Sequence, residues 1–157
     1  MNFKELLLNF TSSVESNDGQ KLAELITIDG IYDYYIYGPF KGRENIATML
    51  ETHFHRDAKN LIWKMYDPVF QNNLGYARYR FSFISTLQES FGNKVAIPGM
   101  AFFRFENNFI DYYGESVNGG IAMAQLGLQS GKIKRVFEKW SERSLKADPD
   151  LSSMYVD

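Results

Sequence analysis

The chain has 157 residues and a formal net charge of −2, and its Lys and Arg residues are spread out. This argues against nucleic acid as the main partner, because phosphate binding needs a basic surface. The chain has no Cys, which excludes disulfides and thiolate chemistry, and no apolar run approaches the roughly 20 residues of a membrane span. The first residues lack the apolar core of a signal peptide, so we expect a cytoplasmic protein.

Aromatic residues are abundant, with 13 Phe and 10 Tyr. Such a composition can line a cavity with rings, although a plain aromatic core is the commoner outcome. The length suits one domain with a sizeable core.

Two helices are predicted at the start of the chain. Residues 2–16 place apolar side chains at helical spacing, and Asn2 can cap the first turn. Asp18 can cap a second, shorter helix after the break at Gly19. The apolar stripe of the first helix is Phe3, Leu6, Leu7, Phe10 and Val14.

A strand and a third helix follow. The segment Gly30–Tyr37 is rich in β-forming residues and ends at Gly38-Pro39. A helix is predicted from about Arg43 to His55. One side of it carries Ile46, Met49, Leu50, His53 and Phe54.

The sequence pattern in the second half of the chain predicts long antiparallel strands. These strands are 61–71, 76–87, 95–106 and the run that starts at Phe109. Asp67-Pro68 suggests a bulge or a sheet edge, because Pro cannot donate to the hydrogen-bond ladder.

The last two strands form a hairpin around Asn107-Asn108, since Asn tolerates the positive φ angles of a tight turn. Side chains alternate along strands, so each strand should present two distinct faces. One predicted face has Ala101, Phe103, Phe105 and Ile110, and the other has Met100, Phe102, Arg104, Asp111 and Tyr113.

Two further helices are predicted at the C-terminal end. The first runs from Gly120 to Leu126, with Asn118 as a cap and Gly127 as a left-handed stop. The second spans about Lys132–Lys146, and we expect a loose tail after Asp148. The apolar stripe of the second helix is Ile133, Val136, Phe137 and Trp140.

Helices first and long antiparallel strands afterwards indicate an α+β fold with segregated layers. We expect a curved antiparallel sheet closed by the N-terminal helices. Residues 1–127 should form the domain, and residues 128–157 an added helix and tail packed on it.

Three segments carry a resemblance to a known family: GPFKGRENIATML after the first strand, FRFENNFIDYY at the hairpin, and ESVNGGIAMAQLG after it. Over roughly Phe3–Gly127 the chain resembles the SnoaL-like branch of the nuclear-transport-factor-2-like superfamily, whose fold is a cone-shaped α+β domain. Members include polyketide cyclases, ketosteroid isomerases, scytalone dehydratase, limonene epoxide hydrolase and phenazine-biosynthesis proteins. The family usually has a Gly in the last hairpin turn, where this chain has Asn107-Asn108.

Glu115 is the candidate catalytic acid. Phenazine-biosynthesis members look similar here, with an acid at the matching place that reaches into the pocket. Strict alternation, however, puts Glu115 on the polar face with Arg104 and Asp111. A bulge near Tyr112–Gly114 would turn it inward, where desolvation raises the pKa of a carboxyl and suits it to acid–base work.

His53 and His55 are the two histidines of the chain. Positions two apart on a helix point in different directions, so the pair does not predict a metal site. His53 lies on the apolar stripe, where it could orient a ligand or serve as a satisfied core residue.

These observations predict a protein that binds a small hydrophobic or aromatic molecule in an enclosed pocket, with acid–base catalysis by a cofactor-free cyclase, isomerase or dehydratase as the enzymatic interpretation. The alternative is a non-catalytic ligand-binding or protein-interaction module of the same fold. A homodimer through the outer face of the sheet is expected, because Met100–Phe105 is apolar on both faces apart from Arg104. The predicted pocket residues are Tyr35, Leu50, Phe54, Phe81, Phe83, Ala101, Phe103 and Val117.

Overall fold

A computed structural model describes residues 2–155 and shows an α+β fold, as the sequence predicts. The strands are β1 (Ile26–Tyr34), β2 (Gly38–Lys41), β3 (Ala58–Gln71), β4 (Leu74–Ser85), β5 (Lys94–Glu106) and β6 (Phe109–Val117). The helices are α1 (Phe3–Glu15), α2 (Gly19–Glu24), α3 (Arg43–Met49), α4 (His55–Asp57), α5 (Gly119–Gln125), α6 (Ser130–Ala147) and α7 (Pro149–Met154). A π-helical turn, Leu50–Phe54, joins α3 to α4.

The strands form one curved sheet in the order β2-β1-β6-β5-β4-β3. Neighbouring strands are antiparallel except β1 and β6, which pair in parallel and were not predicted to do so. Strand β2 was not predicted, because Gly38-Pro39 is typical of the end of a strand. Pro39 is tolerated there because β2 lies at the edge of the sheet, where one side needs no ladder hydrogen bonds.

The N-terminal helices fold as their capping residues predict. The side chain of Asn2 accepts a hydrogen bond from the backbone amide of Glu5, and that of Asp18 accepts one from Lys21. All five members of the predicted α1 stripe are buried. The ring of Phe10 contacts those of Tyr32, Trp63, Phe103 and Tyr113, so α1 covers the concave face of the sheet.

The hairpin of β5 and β6 has the predicted turn and a bulge. Asn107 and Asn108 both adopt positive φ, 50° and 68°. Phe105 pairs with Ile110 but Arg104 pairs with Tyr112, so Asp111 is the extra residue of the bulge. The bulge therefore comes just before the predicted position, and it reverses the alternation of everything after it.

The C-terminal end is helical beyond the predicted helix. The segment after Asp148, predicted to be a loose tail, forms α7 as far as Met154, with the Asp148 side chain accepting from the backbone amide of Leu151. Pro149 fits the first turn, where a missing amide proton costs nothing. The last two residues, 156–157, lie outside the described part. Within residues 2–155, none of the helices combines the length and the apolar character needed to cross a membrane.

Candidate functional site

A cavity of about 350 Å³ opens between the sheet and the C-terminal helices. Side chains from β1, β3, β4, β5, β6, α5 and α6 line it, and nine of its lining residues are aromatic. These aromatic residues are Tyr34, Tyr35, Tyr37, Phe54, Trp63, Tyr79, Phe81, Phe83 and Trp140.

Glu115 lies in the wall of this cavity. Because the bulge at Asp111 reverses the alternation, Glu115 pairs with Ala101 of β5, which is fully buried, and shares the inner face with Tyr113. The hydroxyl of Tyr79 donates a 2.7 Å hydrogen bond to Glu115 Oε2, and that of Tyr113 donates a longer one of 3.4 Å to the same oxygen. Both tyrosines are buried, so the carboxyl is held by one hydroxyl from β4 and one from its own strand, β6.

Burial raises the pKa of Glu115 above its ordinary value, because the charged form loses its hydration. The hydrogen bonds from the Tyr79 hydroxyl, the Tyr35 backbone amide and the Tyr113 hydroxyl oppose that rise, since each favours the carboxylate. Burial, together with the nearby carboxylate, also raises the pKa of Tyr79 and of Tyr113. Both hydroxyls therefore keep their protons and act as donors at physiological pH.

Gly99 makes room for the Tyr79 ring. It pairs with Tyr79 across β4 and β5, and a Cβ at Gly99 would lie 2.2 Å from Tyr79 Cζ. Non-bonded carbons do not approach so closely, so a side chain at residue 99 would displace the ring. The small residue therefore fixes where the Tyr79 hydroxyl points.

Helix α6 contributes Lys132, Val136 and Trp140 to the lining of the cavity. Its Trp140 ring lies 4.6 Å from that of Tyr35, and its indole Nε1–H donates to the carbonyl of Ile36 over 3.2 Å. The guanidinium of Arg143 donates to the carbonyls of Tyr35 and Ile36. Lys132 of α6 and Glu89, which both line the cavity, form a salt bridge. None of the described residues of α6 is fully buried, so the helix lies on the domain without forming part of its core.

Asp57 forms a polar rim at the other side of the cavity. It accepts hydrogen bonds from Arg56, at 2.6 and 2.8 Å, and from the hydroxyl of Tyr37. The interaction with Arg56 lowers the pKa of Asp57. Burial and the bond to Asp57 raise the pKa of Tyr37 to about 12. Asp57 is thus paired with a cation, whereas Glu115 is held by hydroxyl groups.

Six of the predicted site residues line the cavity. They are Glu115, Tyr35, Phe54, Phe81, Phe83 and Val117. Ala101, Phe103 and Leu50 do not line it; all three are buried in the core. Phe103 lies nearer the hairpin, where its ring packs 5.4 Å from that of Phe10, so α1 fills the space that was expected to be open.

His53 is also absent from the described cavity wall. Its ring packs beside Tyr37 and Phe40, at 5.9 and 6.0 Å, because the π-helical turn rotates it away from the stripe that Phe54 continues. The predicted role of His53 in orienting a ligand is therefore dropped. His55 bonds to the carbonyl of Val14 over 2.7 Å and serves the packing of α1. Within residues 2–155, no group of three or more His, Asp or Glu side chains is placed to hold a metal ion.

Sequence reasoning missed Tyr79, Trp63 and Trp140. Tyr79 could have been found, because it shares a strand face with Phe81, which was assigned to the pocket. Trp63 pairs with Phe81 across β3 and β4. Its place in the cavity could be predicted only from the register between these two strands. Its indole Nε1 is the one buried side-chain polar atom without a hydrogen-bond partner among the described residues.

A second groove, of about 390 Å³, shares Glu115, Tyr35 and Trp140 with the cavity. It is more polar, since Asp33, Tyr112 and Arg143 also line it. The hydroxyl of Tyr112 donates to Asp33 over 2.8 Å. Glu115 therefore lies between an aromatic cavity and a polar groove.

Comparison with known proteins gives a family and a fold. The sequence model of the SnoaL-like domain matches residues 8–113. No curated protein sequence matches the chain.

Solved structures with the same fold cover most of this chain. A protein of Catenulispora acidiphila with a ketosteroid isomerase-like fold, solved in complex with trimethylamine, has a TM-score of 0.71 at 16% identity and aligns over 80% of this chain and 94% of its own. A protein of Shewanella denitrificans assigned as a SnoaL-like polyketide cyclase has a TM-score of 0.67 at 17% identity, over 80% and 97% of the two chains. An epoxide hydrolase of M. tuberculosis, similar to limonene epoxide hydrolase, has a TM-score of 0.64 at 11% identity, over 78% and 86%. At these identities the likeness concerns the fold alone.

Proposed function

Because the chain belongs to the SnoaL-like domain family, we propose that it binds a small hydrophobic or aromatic molecule in the cavity and that Glu115 transfers a proton to or from it. The family and the fold support a small-molecule-binding or catalytic role. One observation carries the specific proposal: Glu115 is a carboxyl in an aromatic cavity, and Tyr79 positions it through a 2.7 Å hydrogen bond.

The chemistry follows from the surroundings of Glu115. Burial raises its pKa toward the working pH, where a group can both accept and return a proton. The apolar walls hold a flat ligand by burying its surface, and they exclude competing water. Cyclisation, isomerisation and dehydration each move a proton at carbon, so a single carboxyl serves all three classes without a cofactor.

A proton-abstraction probe tests the proposal. In 5-nitrobenzisoxazole, a base removes the ring C–H proton, the electron pair forms the nitrile, and the N–O bond breaks to give a coloured cyanonitrophenolate. The wild-type protein should accelerate this reaction, and Glu115→Gln should lose the acceleration by a factor of about 10²–10⁴. Glu106→Gln is the matched control, because Glu106 is an exposed glutamate at the end of β5.

Two outcomes would separate the enzymatic proposal from the binding module. If the probe binds in the cavity but reacts at the same rate with the wild type and with Glu115→Gln, the protein is a binding module in which Glu115 does not catalyse proton transfer. If the probe neither binds nor reacts, the cavity is not a site for neutral aromatic molecules.

The homodimer through the outer face of the sheet belongs to the same proposal. Several apolar side chains are exposed on that face, which neither α1 nor α6 covers. They include Ile62, Val69, Tyr76 and Met100. Pairs of opposite charge, Arg78 with Asp67 and Arg104 with Asp111, lie among them, so the face carries both signs and can meet a second copy of itself.

Helix α6 is proposed to pack on the same domain and to act as the cover of the cavity. Its contacts with the Tyr35–Ile36 backbone support this assignment. The cytoplasmic location stays a prediction from the sequence.

A further inference from the structure

The charges around the cavity are unevenly compensated. Among the described residues that line it, the carboxylates are Asp57, Glu89 and Glu115. Asp57 pairs with Arg56, and Glu89 pairs with Lys132. Glu115 has no cationic side chain within salt-bridge distance in the described part of the chain. It is also the carboxylate of the three that lies deepest among aromatic rings.

A buried carboxylate needs compensation, because removing it from water disfavours its charge. Protonation can supply part of it, since burial raises the pKa of Glu115. The tyrosine hydroxyls supply another part, but both donate to Oε2. Neither hydroxyl bonds to Oε1, and Glu115 lines the cavity, so its carboxyl faces a group that enters.

The nine aromatic residues of the wall favour the same kind of ligand. The faces of aromatic rings carry partial negative charge and attract cations, most strongly where water is excluded. Tyr79 and Trp63, whose ring centroids lie 5.6 Å apart, form part of the wall near Glu115. A neutral ligand would displace water from Glu115 and add no charge to balance the carboxylate beyond the existing hydrogen bonds. A cation with apolar substituents would compensate that charge and still bury its hydrocarbon.

We propose that the cavity selects small organic ammonium ions, aryl or alkyl amines with tertiary or quaternary nitrogen, which Glu115 binds as the counter-ion within the aromatic wall. The inference rests on the proposed function in one respect, that the cavity is a ligand site. A strongly hydrated ion would lose too much hydration against apolar walls, so the substituents on nitrogen are part of the requirement.

An isosteric pair of probes tests the selectivity. In 4-hydroxyphenyltrimethylammonium and 4-tert-butylphenol the same shape carries a positive nitrogen or a neutral carbon. At pH 7, calorimetric titration of the full chain should give at least tenfold tighter binding of the ammonium compound. Glu115→Gln should remove that preference and leave the phenol affinity within about threefold, and Glu106→Gln should keep the preference.

The outcomes distinguish this inference from the proposed function. Equal or tighter binding of the neutral phenol would overturn the cation selectivity and leave the cavity as a ligand site. Binding of neither probe would overturn both. A Glu115→Gln variant that kept the preference would also overturn the inference, because the preference would then arise elsewhere.

A second measurement needs no variant of the cavity. Lowering the pH from 7 to 5 favours the protonated form of Glu115, whose pKa is raised by burial. The proton then competes with the ammonium ion, so the affinity for the ammonium ion should fall while that for the phenol should not. Other titratable or charged groups also face Glu115, the cavity or the adjoining groove. They are Asp33, Tyr34, Tyr35, Tyr37, Asp57, Tyr79, Glu89, Tyr112, Tyr113, Lys132 and Arg143. A pH dependence of the same size in Glu115→Gln would count against Glu115 as the counter-ion.

Discussion

The hydrogen bond from Tyr79 to Glu115 gives a prediction that depends on pH. Tyr79→Phe removes one hydroxyl and leaves the ring beside Gly99. A hydrogen bond to a charged group contributes about 1.5–3 kcal/mol to stability, and one between neutral groups about 0.5–1.5 kcal/mol. We therefore expect Tyr79→Phe to lower the free energy of unfolding by about 1.5–3 kcal/mol at pH 8 and by about 0.5–1.5 kcal/mol at pH 4, because the higher pH favours the carboxylate and the lower pH the protonated form.

The sign follows from the direction of the pKa shift. Burial raises the pKa of Glu115 in the folded protein, so ionisation of this group costs stability as the pH rises through that pKa. The Tyr79 hydroxyl reduces this cost by donating to the carboxylate. Removing the hydroxyl therefore lowers the free energy of unfolding most at high pH. Urea denaturation at the two pH values measures the difference, with a shift in melting temperature of about 2–4 °C per kcal/mol as a second readout.

Tyr76→Phe is the matched control, because Tyr76 is 41% exposed on the outer face of the same strand. It should cost little at either pH. Losses of the same size at pH 4 and pH 8 in Tyr79→Phe, or losses no greater than those of Tyr76→Phe, would refute the account of how Glu115 is held.

Three further predictions concern Gly99, Trp140 and the outer face of the sheet. Gly99→Ala should displace the Tyr79 ring and lower turnover of the benzisoxazole probe at least tenfold, whereas Gly92→Ala, where a Cβ meets nothing within 4 Å, should change only stability; equal turnover in both variants would contradict the role of Gly99. Trp140→Ala should release α6, lower the free energy of unfolding by about 2 kcal/mol because the ring is only half-buried, and speed entry of 4-tert-butylphenol in stopped-flow measurements; unchanged entry rates would exclude α6 as the cover. Met100→Asp should convert the dimer to a monomer in sedimentation at micromolar concentration, and a wild-type monomer under those conditions would rule out the proposed interface.

The sequence predicted most of the fold because local signals and global packing agree there. Asn2 and Asp18 cap the helices they were expected to cap, and Asn107-Asn108 forms the tight turn. Where local sequence signals fail to predict an element, a contact between residues distant in the sequence determines the structure. β2 exists because β1 offers it a partner, which no local pattern at Gly38-Pro39 indicates.

The site was harder to predict because it depends on one residue of register. Alternation alone placed Glu115 on the polar face and Tyr113 with it, and the bulge at Asp111 moved both inward. The sequence admitted such a bulge but could not fix its position. The extent of the cavity could not be predicted either. The rings of Phe3 and Phe10 on α1 fill the end of the sheet where Phe103 lies, and this packing depends on the tertiary structure.

The most direct test of the central claim is a pH titration of the Glu115 side-chain carboxyl by carbon-13 NMR, assigned with Glu115→Gln and repeated with 4-tert-butylphenol. The account predicts a midpoint above the ordinary value of 4.5 and a change in the Glu115 resonance when the phenol binds. A Glu115 that titrates at its ordinary value, with a resonance that the phenol leaves unchanged, would contradict the claim that this carboxyl lies in a ligand-binding cavity.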